Sequence, residues 1–182
     1  MHIVSLIEPI TEVTDLNMDK AWFSDRVREQ EAGMYALAMS YMKQEADALD
    51  CMQQSILKAY EHLDSLRDPE RFKSWLFGIL VNCCRDELRR KKRRDIPEEA
   101  PGAVSAPEDS MRPLETKTVL RDAVDALSEP YRTVVILFYY EDLPTAEIAE
   151  ALGEHPDAVR KQLSRARDLL RARLVKEEFQ DE

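Results

Sequence analysis

The chain has 182 residues, 44% hydrophobic and 34% charged, with only 4 glycines; it is long enough for one medium or two small packed domains, and its composition favours helices. A formal net charge of -10 excludes a uniformly basic nucleic-acid binder. Positive charge is nevertheless concentrated in Arg85 to Arg94 and Arg160 to Lys176, and two basic stretches on an acidic chain imply two DNA contacts plus a partner that accepts acid.

Residues 1–19 carry Pro9 and several β-branched residues without a clean period, which predicts an N-terminal extension. From 20 to 94 the pattern is helical. Leu49, Met52, Ile56, Tyr60 and Leu63 recur at spacings of three and four, one stripe of an amphipathic helix with Asp47, Asp50, Gln54 and Glu61 largely off it. Asp68-Pro69 breaks that helix. A second helix runs from about Glu70 to the solvated run RRKKRR. Residues 95–113 hold Pro97, Pro101, Pro107, Pro113 and Gly102 with no apolar face, which predicts a linker between two compact halves. Helical pattern returns from 114 to 174. Ser128-Glu129-Pro130 reads as a helix start, with a capping hydroxyl and a proline in the first turn.

Cys51, Cys83 and Cys84 make neither a disulfide framework nor a zinc spacing, so buried free thiols in a reducing cytosol are expected. No apolar run approaches the ~20 residues of a membrane span, and no basic segment precedes an apolar one at the N-terminus; a cytoplasmic protein without membrane insertion is expected. His2, His62 and His155 lack partners at metal spacing, and there is no glycine-rich phosphate loop or nucleophile-base-acid set. The chemistry expected is therefore binding and DNA remodelling, with no enzyme activity, cofactor or metal.

Three segments carry the function. In DLPTAEIAEALGEHPDAVRKQLSRARDLLR, residues 142–171, Ile148, Ala149 and Leu152 form the inner face of a short helix. Gly153 supplies a turn and Pro156 opens the next helix. Val159, Leu163, Ala166 and Leu170 then face inward, while Arg160, Lys161, Gln162, Ser164, Arg165 and Arg167 face outward. This is a helix-turn-helix pattern whose second helix fits the major groove, its first turn (Asp157, Ala158) at base edges and its later arginines on phosphates. In RFKSWLFGILVNCCRDELRRKKRR, residues 71–94, Phe72, Trp75 and Phe77 alternate with Arg71 and Lys73. Aromatics beside cations can stack unpaired bases, although core packing is the simpler role for Trp75 and Ile79. A helix of that length is ~35 Å long, about one turn of DNA. The third segment, DALDCMQQSILKAYEHL (47–63), joins an acidic, amide-bearing face to an apolar stripe.

The order of these parts resembles the extracytoplasmic-function sigma factors over about residues 25 to 175. The resemblance implies an all-α fold: a region-two helical domain (20–94), a flexible linker (95–113) and a region-four helix-turn-helix domain (114–178). It implies a core RNA polymerase contact at Asp47, Asp50, Gln53 and Gln54. It implies reading and melting of a proximal promoter element by the helix bearing Asn82, Asp86, Arg89 and Arg90, joined by Arg71, Lys73 and Arg93, with the loop Ser65 to Arg71 capturing a flipped base. The distal element falls to Asp157, Ala158, Arg160, Lys161, Ser164, Arg165 and Arg167. Promoter DNA, core polymerase and an anti-sigma factor are the implied partners. Leu49, Cys51 and Gln54 stand where the family often has an acid, an apolar residue and an acid. Gly78 and Val81 stand where basic residues are common; Glu154 occupies a usually apolar turn position, and His155 replaces the usual Ser or Thr cap. The alternative is a stand-alone helix-turn-helix regulator, which would need neither the Trp75-centred helix nor the acidic helix.

Overall fold

The structure, a computed structural model, describes residues 19–94 and 116–178. Almost all of the predicted extension (1–19) and the whole predicted linker (95–113) lie outside the described residues. Those described form an all-α fold with no strand among them. Helix α1 spans Lys20–Met42, α2 Glu45–Glu61 and α3 Phe72–Arg94; α4 spans Thr116–Asp125, α5 Tyr131–Val135, α6 Thr145–Leu152 and α7 Pro156–Glu178.

Local chemistry sets the helix ends. The Asp19 carboxylate accepts from Trp22 N at 2.9 Å and caps α1. The chain leaves α1 through Lys43 in the left-handed region, φ 61°. Asp68 accepts from Glu70 N at 3.0 Å, so a short 3-10 turn, Pro69–Arg71, leads into α3. Ser128 does not cap α5 with its hydroxyl. Its carbonyl takes the bond from Arg132 N at 3.2 Å, α5 starts after Pro130, and the Glu129 carboxylate accepts from the Thr133 hydroxyl.

The first three helices pack as a bundle around Phe23, Met34, Leu37, Met52, Leu76, Phe77 and Leu80, all fully buried. The apolar stripe of α2 is rotated by one residue from its predicted position. Ala48, Cys51, Met52, Ser55 and Ala59 are buried, while Leu49 is 37% exposed. Small residues let α1 and α3 approach the α2 backbone closely, and close packing outweighs the size of any one side chain. Phe72 and Phe77 are equally committed to the core, at 2% and 0% exposure, so neither is available to stack a base. Phe72 meets Trp22, Phe23 and Trp75 in edge-on and tilted ring contacts.

The C-terminal helices enclose Val134, Val135, Leu137, Ile148, Ala149, Val159, Leu163 and Ala166. This core is continuous with that of the first three helices. Gly78 of α3 sits directly under α6: a Cβ there would lie 2.6 Å from the Ala151 carbonyl oxygen. Gly33 of α1 likewise leaves room for the Glu141 carboxylate, which also pairs with Lys73 at 3.1 Å. A third contact is a polar chain in which Tyr41 bonds Thr133, Thr133 donates to Glu129, and Arg85 reaches Glu129 at 3.5 Å.

Burial, and then the Glu129 carboxylate, push the Tyr41 phenol well above its ordinary range. A folded-state pKa raised above the unfolded value gives stability that is present in full below about pH 10 and is lost as pH rises. Tyr41→Phe is therefore expected to cost about 1 kcal/mol at neutral pH and to flatten the decline in stability above about pH 10, measured by urea unfolding at neutral and alkaline pH.

Candidate nucleic-acid and polymerase interfaces

Three surfaces hold the residues singled out from the sequence. On α2, Asp50, Gln53 and Gln54 are exposed. Asp47 is turned inward and paired with Lys91 of α3. Leu49 and Leu57, 37% and 47% exposed, stand one turn either side of Gln53. This face mixes carboxylate, amide and apolar groups, while Cys51 points into the core at 1% exposure.

The second surface is α3 and the turns before it. Trp75 and Ile79 are half-buried and Asn82 is exposed. They line a hollow of about 390 Å³ together with Arg67, Asp68, Arg71 and Ser74. Glu150 and Ala151 of α6 form its opposite wall. Arg71 ion-pairs with Glu150, and Lys73 with Glu141, so these two of the cations expected on the DNA face are each paired with an acid of the C-terminal half. Further along, Arg89 pairs with Asp86 at 3.0 Å and Arg90 with Glu87 at 3.2 Å. Lys92, Arg93 and Arg94 at the end are exposed. Val81 is fully buried, which explains why no cation stands there.

The third surface is the pair α6 and α7. Gly153 has φ 66°, Glu154 N bonds Ala149 O at 2.8 Å and Gly153 N bonds Glu150 O at 3.2 Å. This closes α6 with the doubled bond pattern of a left-handed glycine cap. His155 then fills the place of the usual hydroxyl cap: its Nδ1 accepts from Asp157 N at 3.3 Å. Val159, Leu163 and Ala166 are buried, and Arg160, Lys161, Ser164, Arg165 and Arg167 are exposed. Gln162, expected outside, is half-buried; its amide donates to Glu154 at 2.7 Å. That bond gives the carboxylate a partner at a turn position where an apolar residue is common. Asp157 is exposed and pairs with Arg160, whose hydrogen bond and charge hold the carboxyl below its usual range. Ala158 is half-buried beside it.

A helix-turn-helix with a cationic outer face, joined to a three-helix bundle whose last helix ends in cations, defines a DNA-binding transcription factor. Comparison with known proteins gives the family. Residues 27–94 match the model for Sigma-70 region 2, and residues 117–170 match that for Sigma-70, region 4. The chain is 38% identical over 162 residues to RNA polymerase sigma factor SigV of Bacillus subtilis (strain 168), covering 88% of this chain and 95% of that protein. It is 28% identical to ECF RNA polymerase sigma factor SigW of the same organism, covering 86% and 90%. Its fold is similar to that of the sigma factor RpoE from Bartonella quintana, solved in complex with the anti-sigma factor NepR: TM-score 0.63, 24% identity, covering 82% of this chain and 96% of that one. The chain belongs to the RNA polymerase sigma factors, in the extracytoplasmic-function class. It is a transcription initiation factor that directs promoter-specific transcription.

The cap at His155 gives a direct check. His155→Ala is expected to lower stability by about 0.5–1 kcal/mol, and His155→Ser to keep it close to that of the parent, read from the midpoints of thermal or urea unfolding.

Proposed function

We propose that the three surfaces divide the work of initiation. The outer face of α2, with Asp50, Gln53, Gln54 and the flanking leucines, docks on core RNA polymerase. Asp47 contributes by holding Lys91. The α3 surface around Trp75 and Asn82, with Arg71, Lys73, Asp86, Arg89, Arg90 and Arg93, reads and opens the proximal promoter element, and the loop Ser65 to Arg71 receives a flipped base. The exposed face of α7, with Asp157, Ala158, Arg160, Lys161, Ser164, Arg165 and Arg167, reads the distal element in duplex DNA. Residues 20–94 and 114–178 are the two functional units, joined through 95–113. The protein works in the cytoplasm without a cofactor, and an anti-sigma factor restrains it.

The observation that carries this reading is that α2, α3 and α7 each present a different chemistry on a separate face. A stand-alone regulator would have no use for an open α2 face of acid, amide and leucine. Asp50→Arg is expected to weaken binding to core polymerase at least tenfold, about 1.4 kcal/mol, without loss of helicity. Unchanged affinity in a titration with purified core would remove α2 from the role.

The two DNA faces are expected to fail differently. Lys161→Ala should lower closed-complex formation. Loss of a base contact costs about 1–3 kcal/mol at one base pair, whereas loss of a phosphate contact reduces the salt slope by about one unit. Asn82→Ala should leave closed complexes intact and reduce permanganate reactivity of unpaired thymines. If both variants lost duplex binding alone, the division of labour would be wrong.

A further inference from the structure

The cations on the outer face of α7 are not equivalent. Arg160 is ion-paired with Asp157, three residues before it in the first turn, whereas Arg165 and Arg167 are exposed and have no such partner among the described residues. Residues three apart share a helix face, and a first-turn carboxylate suits the positive end of the helix dipole. Asp157 is also held from its other side. His155 Nδ1 accepts from Asp157 N at 3.3 Å and lies 3.6 Å from Asp157 Oδ2, while Asp157 Oδ1 faces the Arg160 guanidinium. Around this pair Ala158 is half-buried, and Gln162 is drawn inward by Glu154 at 2.7 Å. At the start of α7 the exposed face therefore presents the Asp157–Arg160 pair and Lys161.

The two partners are 59% and 58% exposed, so in water the pair adds little to stability. Its effect lies in what Arg160 can bind. A guanidinium carries five N–H donors in a rigid fork. Asp157 engages one of its nitrogens and offsets its charge. A phosphate arriving at this pair meets a like charge in Asp157. The edge of a base does not, because its acceptors are neutral, and O6 and N7 of guanine match two donors of the fork.

We infer that Asp157 is a positioning residue for Arg160: it aims the guanidinium at a guanine in the distal element and keeps it off the phosphates, which fall to Arg165 and Arg167. Asp157 thus acts through Arg160 and reads no base itself. The inference rests on the assignment of α7 to duplex DNA.

The test uses the full chain assembled with core polymerase and a duplex library randomised across the distal element, upstream of a pre-melted bubble. The wild type should select guanine at one base pair. Arg160→Ala and Asp157→Ala should each weaken that preference about tenfold at the same pair, and the double variant should lose no more than Arg160→Ala alone. Arg160→Lys keeps the charge without the fork and should not restore guanine. On the selected duplex, Asp157→Ala should steepen the salt dependence by about one unit, since the freed guanidinium takes a phosphate, and Arg160→Ala should leave it unchanged. A merely structural role at the helix start would move neither the base preference nor the slope in this pattern. Both side chains are more than half exposed, and a cooperative melt shows that the variants fold. If Asp157→Ala relaxes a different base pair, or adds to the loss in Arg160→Ala, Asp157 reads a base itself and the inference fails. It fails equally if Arg160→Ala weakens all sequences alike with a slope about one unit shallower, or has no effect where Lys161→Ala still weakens binding. Unchanged binding in Arg160→Ala, Lys161→Ala and Arg165→Ala together overturns instead the assignment of α7 to DNA.

Discussion

The rest of the structure depends on the burial of α3 from three directions. Leu76, Phe77, Leu80, Val81 and Cys84 are each fully buried, and α1, α2 and α6 all pack on this one helix. A helix enclosed in this way must fit each neighbour by volume, since interiors pack like organic crystals. The fit comes from small residues where backbones meet: Ala48, Ser55 and Ala59 on α2, and Gly78 on α3 itself. Only its edge at Trp75, Ile79 and Asn82 and its cationic end are left for function.

The same crowding shapes the electrostatics. A chain of net charge -10 could bind DNA through unopposed basic patches, but here many of the cations carry an acid with them. Lys91 is held by Asp47, Arg85 by Glu129, Arg89 by Asp86 and Arg160 by Asp157. An incoming phosphate must displace a carboxylate as well as water at these sites. Charge is thus compensated locally on both α3 and α7, the helices proposed to meet DNA, which favours binding only where several contacts form together.

What was legible in the sequence was whatever repeats on a short period. The inward face of α7 follows from Val159, Leu163 and Ala166, and the turn at Gly153 from the one residue that enters φ 66° without strain. The α2 stripe lies one residue from where the large apolar side chains predict it, because alanine, serine and cysteine carry little hydrophobic signal yet permit the closest packing. The helical period predicts Gln162 outside, since the partner that draws it in, Glu154, lies 8 residues away on a turn. Arg71–Glu150 and Lys73–Glu141 were not legible: the first spans 79 residues, and nothing in a local pattern specifies which acid meets which base across that distance. His155 lacks the hydroxyl of the usual cap, yet its ring nitrogen accepts the same kind of bond.

The helix after α5 continues for one turn with wider hydrogen bonding. Glu141 N reaches back to Ile136 O at 3.1 Å, five residues rather than four, through Ile136–Tyr140. This is a single-turn π-bulge, which holds one residue more than an α-helical turn would. Each residue of an α-helix advances about 100° around the axis. The extra residue therefore acts as a phase shifter: it leaves Tyr139 and Tyr140 outside at 50% and 53% exposure and delivers Glu141 to Gly33 and Lys73. A deletion of one residue between 136 and 140 would keep every helix and every charged group of the chain. It would also turn Glu141 by roughly a quarter of a circle, and the acid that joins the two halves would point elsewhere. The docking of one half on the other is thus written partly in the length of a single turn, a quantity that composition and charge do not register.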